Sequence, residues 1–161
     1  MTSNGAAAVS RALSVLDSWD FSPIRQRLTG LGTYVADKVG LVEVEYKRFI
    51  AICVAYATPK NPTVISAQVD EYWHAHVLFT RNYREMSKAM GFEYLDHEPA
   101  SDADSAKLEL GYLRTMELYR RHFGEPNKEF WPEYAQICGG SGCSCSGTGN
   151  IGNDAPNFPV T

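Results

Sequence analysis

The sequence predicts an all-α fold: a single irregular or orthogonal helical bundle followed by an irregular C-terminal tail. Apolar residues recur at the three- and four-residue spacing of an amphipathic helix over residues 5–17, 41–57 and 103–123. No segment shows the sustained alternation that is typical of a half-buried strand. From residue 139 onward the composition shifts to glycine, serine, cysteine, asparagine and proline, which predicts the tail.

Capping and breaking residues delimit the helices in chain order. Ser22 followed by proline is typical of an N-cap with proline in the first turn. The two prolines of "TPKNPT" end the third helix, because proline has no N–H and clashes with the preceding turn. Ser66 and Thr80 are candidate N-caps, and Gly124 is a candidate terminator. The predicted helices cover 5–17, 22–28, 41–57, a segment after Ser66, a segment from Thr80 to before Gly91, 103–123 and 127–137.

Two regions follow from this pattern, a helical domain over residues 1–138 and a tail over residues 139–161. A chain of 161 residues fits one domain plus a tail. The tail has few apolar residues to bury, so we expect it to be flexible by itself, or else held by the domain or by a partner. Contacts with a protein partner, or self-association, are therefore expected through the tail.

Composition and charge exclude several classes of protein. The net charge is −4 and no basic run is longer than the two residues of Arg120-Arg121, so we do not expect a nucleic-acid-binding surface. No segment approaches the ~20 apolar residues that cross a bilayer. The N-terminus lacks the basic start and apolar centre of a secretory signal. We expect a cytoplasmic protein with reduced thiols, in which Cys53 is a small core residue.

The stretch "VDEYWHAHVL", residues 69–78, carries the candidate site. On a helix Asp70 and His74 share a face, whereas His76 is about 200° away from His74 and marks a second, separate position. After one intervening helix, the segment "LDHEP" supplies further polar groups, and a return of that length can bring His97 beside His74. Asp70, His74 and His97 then make a three-ligand set with an open fourth position, and Asp96 is a further candidate ligand nearby.

Two other interpretations of these residues stay open. The Asp70 carboxylate can accept a hydrogen bond from the His74 imidazole and fix its tautomer, which leaves the other ring nitrogen free for a metal or a proton. A histidine beside a tryptophan on an amphipathic helix is also often a core residue satisfied by hydrogen bonds.

A family resemblance favours the metal interpretation. Residues 41–99 resemble an uncharacterised domain of plant glycine-rich-domain proteins and of bacterial and viral proteins, with its patterns E-Y-x-R-F, V-D-x-x-W-H-x-H and H-H-x-P. The resemblance implies a histidine cluster of the metal-binding type and no particular activity. This sequence departs from the pattern at Asp96, which replaces the first histidine of H-H-x-P. The matching residues are Glu45, Tyr46, Arg48, Phe49, Val69, Asp70, Trp73, His74, His76, Leu78, Thr80, Tyr83, Gly91, His97 and Pro99.

The cysteines of "CGGSGCSC" form a second candidate site. Cys138, Cys143 and Cys145 are spaced so that their thiolates could bind zinc or copper, or form a disulfide within or between chains. The interpretation that we favour is three exposed thiols on a flexible tail.

Two functions follow as hypotheses. The first is a small binding or structural module that holds a divalent metal, with zinc favoured because imidazole is the main ligand, and that docks through its tail. The family resemblance extends this class to an assembly component of a viral particle. The alternative is a metal-dependent hydrolase that uses the Asp/His/His site, with His76 or Glu98 as the general base.

Overall fold

The chain folds as an irregular bundle of α-helices with a small β-sheet. A computed structural model describes residues 3–99, 105–133 and 143–145. The predicted all-α class is confirmed. Within these residues the helices are α1 (Ser3–Ser18), α2 (Ser22–Gly30), α3 (Ala36–Tyr56), α4 (Ala67–Leu78), α5 (Thr80–Ala89) and α6 (Ser105–Phe123), and the strands are β1 (Thr63–Val64), β2 (Glu98–Pro99) and β3 (Cys143–Cys145).

Helix α3 is the centre of the bundle, because it packs against α1, α2, α4 and α6. Tyr46, Phe49 and Ile50 on this helix are fully buried. Burying one such side chain contributes roughly 1.5–3 kcal/mol. Cys53 is buried as predicted, and its thiol lies 3.0 Å from the hydroxyl of Thr63. Helix α3 begins five residues before the predicted start, because only Val39 is buried among residues 36–40 and this first part therefore carries no apolar stripe.

The sheet joins three segments that are distant in sequence. Its antiparallel order is β1-β3-β2, so β3 is the middle strand. The backbone of Ser144 pairs with Val64 on one side and with Glu98 on the other. Strand β1 is held on α6 by Thr115, whose hydroxyl accepts a hydrogen bond from the Val64 N–H at 2.9 Å. The remaining tail residues, including Cys138, lie outside the described residues.

Three local predictions need correction. Ser22 is the first residue of α2 rather than its N-cap. Residues 127–133 form turns instead of the first part of the predicted helix 127–137, because the Asn127 side chain accepts a hydrogen bond from the Glu129 N–H at 3.0 Å. Thr80 is the first residue of α5 rather than its N-cap, and no side chain caps that helix. The predicted cap at Ser66 is confirmed, since its side chain accepts from the Val69 N–H at 3.3 Å.

None of the helices in the described ranges combines the length and the apolar character that a bilayer crossing requires.

Helix α6 packs closely on β1 at Gly111, so a side chain at this position should lower the stability of the fold. A Cβ at Gly111 would lie 2.6 Å from Cγ2 of Val64, whereas a Cβ at Gly40 on α3 would meet nothing within 4 Å. Gly111→Ala should therefore lower the free energy of unfolding by about 1–3 kcal/mol through overpacking. Gly40→Ala should raise it by about 0.5–1 kcal/mol, because alanine is the better helix former.

Urea unfolding of both variants and the parent checks this pair. Equal effects of the two substitutions would contradict the packing that the structure shows.

Candidate metal centre

The first half of the site is set by α4. Ser66 fixes the start of the helix, and Val69, Tyr72 and Trp73 bury one side of it in the core. Asp70 and His74 are one turn apart on the adjoining side. Asp70 also stands in the first turn of α4, where the helix dipole favours a negative charge.

The second half of the site arrives on the loop that follows α5. Gly91 adopts a φ of 90°, a left-handed conformation that glycine takes without strain, and the chain reverses there. Leu95 is then pinned by two buried hydrogen bonds: Tyr83 donates to its carbonyl at 2.6 Å, and its N–H donates to the Ser87 hydroxyl at 3.4 Å. His97 lies two residues further on, with its ring centroid 4.0 Å from that of Trp73.

Asp70, His74 and His97 meet in space. Nε2 of His97 lies 3.0 Å from Oδ1 of Asp70, and Nε2 of His74 lies 3.6 Å from Oδ2 of the same carboxylate. The two imidazole rings stack, with centroids 4.7 Å apart and planes 20° apart. The side chains of Asp70 and His97 are 3% and 7% exposed, whereas that of His74 is 49% exposed. The cluster is therefore buried on one side and open to solvent on the other.

The spacing of the three side chains fits one metal ion. Each residue offers a ligand atom, and the three atoms all lie within 4.8 Å of one another. A tetrahedral zinc ion with bonds of about 2.0–2.1 Å holds its ligand atoms about 3.3–3.4 Å apart. The His97 and His74 nitrogens lie 3.0 and 3.6 Å from two different oxygens of Asp70, Oδ1 and Oδ2, and both separations are close to that value. Asp96 is not part of this group of three.

His76 lies away from the cluster, in the aromatic core between Phe21, Tyr46 and Tyr83. Its Nε2 is 2.8 Å from Oδ1 of Asn82, and its Nδ1 is 2.9 Å from the hydroxyl of Tyr46. Because a carbonyl oxygen only accepts, Nε2 carries the proton and the Tyr46 hydroxyl donates to Nδ1. Burial lowers the pKa of His76 to about 4. With both nitrogens bonded inside the core, His76 is not placed to act as a general base at the cluster.

The other candidate residues contribute less. The backbone of Glu98 pairs with Ser144 in the sheet, and its side chain lies outside what the structure describes. For Cys143 and Cys145 the backbone of β3 is described and nothing further. The proposed thiol site therefore stays a prediction.

Sequence reasoning missed two buried carboxylates on α3. Glu45 accepts hydrogen bonds from the Trp131 indole at 2.8 Å and from the Tyr119 hydroxyl, and Arg48 pairs with it at 3.1 Å. The signal was present, because Glu45 stands three residues after Val42 and four before Phe49, both of them core residues.

Glu43 is the second buried carboxylate on α3. Arg25 and the Tyr72 hydroxyl each donate to it at 2.7 Å, and Lys47 pairs with it at 3.2 Å. Burial alone raises the pKa of Glu43, but the hydrogen bonds from Tyr72, Arg25 and Lys47 outweigh burial and hold the pKa below its ordinary value.

The fold and the cluster define an all-α protein with a candidate metal centre on its fourth helix. The chain belongs to the UCP032817-like family, whose family model matches residues 13–116. That range contains α2 to α5 and all three residues of the cluster, and the family description names no activity. No curated protein and no solved structure matched the chain. The resemblance to plant glycine-rich-domain and viral proteins stays a prediction.

Burial of His76 predicts an acid-sensitive fold. The unfolded chain binds a proton at His76 with the ordinary pKa of 6.5, whereas the folded chain does so only near 4. The stabilising contribution is therefore fully present above pH 6.5 and is lost as the pH falls toward 4. Between pH 7.5 and 5 we expect this histidine alone to lower the free energy of unfolding by about 2 kcal/mol.

Urea unfolding at both pH values, with chelator present, measures the effect. His76→Gln keeps a donor and an acceptor at this position but does not titrate. Its free energy of unfolding should therefore fall less with acid than that of the parent. An equal fall in both proteins would show that His76 does not carry the effect.

Proposed function

We propose that the protein is a helical module that binds one divalent metal ion through Asp70, His74 and His97. The observation that carries the proposal is the convergence of three potential ligand atoms within 4.8 Å, two from α4 and one from the loop after α5. A metal bound there would tie that loop to the helix. Because a preformed site binds the folded chain in preference to the unfolded chain, the ion would also stabilise the fold.

Zinc is the metal that we propose. Two of the three ligands are imidazoles, which suit zinc and similar borderline metals better than magnesium or calcium. Nε2 of His97 contacts Asp70 in the structure, and this hydrogen bond requires a proton on that nitrogen because a carboxylate only accepts. A metal that bonds to Nε2 must displace that proton, so affinity should fall in acid.

A metal-dependent hydrolase is the second candidate, and the 49% exposure of the His74 side chain favours it. An ion held by three protein ligands at an open edge keeps a position for water, and zinc lowers the pKa of such a water to about 7. Asp70 would act as a ligand at the buried side. His76 has no part in this version, because it is enclosed in the core.

We propose that the tail is the segment that contacts a partner protein or a second copy of the chain. The predicted assembly role depends on this contact. Ser144 already pairs with both β1 and β2, so a docked tail would extend from this sheet. A chain that ends at residue 138 should lose any concentration-dependent dimer seen by sedimentation equilibrium, with its helical circular dichroism retained. A full-length chain that is monomeric at every concentration would contradict self-association.

Titration calorimetry with zinc tests the metal site directly. The experiment uses a parent in which Cys138, Cys143 and Cys145 are changed to serine, so that tail thiols cannot bind the ion. We expect one equivalent of zinc per chain, and a loss of affinity of at least about tenfold in His74→Ala. His74 is half-exposed, so its removal leaves the core intact.

His122→Ala is the matched control, because His122 bonds to Tyr56 on a different part of the surface. This variant should bind zinc like the parent. Zinc should also raise the melting temperature of the parent and of His122→Ala but not that of His74→Ala. Identical binding by all three proteins, or none by the parent, would overturn the proposal.

A further inference from the structure

A pocket of about 540 Å³ opens beside the first turn of α4, apart from the three proposed metal ligands. Its wall is made by the loop after α2, the first turn of α3, the start of α4 and the turn that contains Phe130. Its size is in the range of sites for small organic ligands. The side chains that matter for its chemistry are Tyr34, Lys38, Gln68, Glu71, Glu129 and Phe130.

The hydrogen-bonding groups of this pocket are mainly acceptors. The Tyr34 hydroxyl donates to the backbone carbonyl of Gln68, so its hydrogen is already used. The side-chain oxygen of Gln68 is buried and has no hydrogen-bond partner in the described structure. Because a buried acceptor without a partner is unfavourable, a ligand that brings an N–H to this oxygen gains affinity by satisfying it.

The charges around the pocket also favour a ligand that donates hydrogen bonds. Its one cation among the lining residues, Lys38, is paired with Glu129. Glu71 is exposed and forms no salt bridge with any described residue. Burial raises the pKa of Tyr34, and the negative charges of Glu71 and Asp70 raise it further, so the hydroxyl stays neutral. An uncompensated carboxylate thus lies in the same pocket lining as the partly buried ring of Tyr34, whose face attracts cations, whereas the Phe130 side chain is buried.

We propose that this pocket binds an organic cation, namely a primary ammonium group carried on a small aromatic or apolar body. The ammonium group would donate to Glu71 and to the Gln68 side-chain oxygen, the latter after a small rotation of the Gln68 amide. The body of the ligand would pack on the exposed part of the Tyr34 ring. This site does not require a metal in the Asp70 cluster, so it stands independently of the proposed function.

Benzylamine is the probe, with benzyl alcohol and benzoate as neutral and anionic counterparts of the same ring. Protein NMR titrations in chelator, so that no metal contributes, follow the amides of residues 33–35, 68, 71 and 130. We expect saturable shifts at these amides with a Kd on the order of 1 mM for benzylamine. Benzyl alcohol and benzoate should bind at least about fivefold more weakly.

Glu71→Gln should weaken benzylamine at least about threefold, and Gln68→Met should do so through loss of the acceptor. The control Glu85→Gln makes the same charge change at an exposed position on α5 and should bind like the parent. If Gln68→Met does not fold, the Glu71→Gln variant alone tests the proposal. Glu71 is a surface residue, so its substitution should leave the fold intact. Equal binding of the three probes, no saturable shift, or equal binding by Glu71→Gln and Glu85→Gln would overturn the proposal.

Discussion

The arrangement of the bundle depends on two carboxylates that α3 removes from water, those of Glu43 and Glu45. Even after relaxation, burying an ion costs several kcal/mol unless hydrogen bonds and opposite charges compensate. The partners of Glu43 come from α2 and α4, and those of Glu45 come from α6 and from the turn that contains Trp131. The hydrogen bonds to these two carboxylates therefore hold four segments in place around α3.

This network also decides which side of α4 carries the candidate metal centre. Tyr72 must point into the core to reach Glu43. The neighbouring Trp73 packs on Phe49 of α3, with ring centroids 5.5 Å apart, and on the ring of His97. With these two side chains turned inward, helical geometry leaves His74 half-exposed at the boundary with solvent and Asp70 buried beside it. The core network and the site are thus coupled through the rotation of a single helix.

Both proposed sites bind cations, and both draw on the acidic first turns of α4. Asp70 faces the histidines, and Glu71 faces the pocket. The helix dipole stabilises negative charge at this end of the helix, so two adjacent carboxylates are tolerated there. Tyr34 experiences both charges, which places the two sites within electrostatic reach of each other.

The sequence by itself determined the helical segments, the cap at Ser66, the shared face of Asp70 and His74, and the separate position of His76. These features are local, because helical periodicity and capping act over a few residues. Only the tertiary structure decided that Glu43 is buried, which groups satisfy Glu43 and Glu45, that residues 127–133 form turns, that residues 143–145 pair between β1 and β2, and where the pocket lies. The partners that stabilise the two carboxylates stand up to 86 residues away in the chain, so no local pattern could identify them.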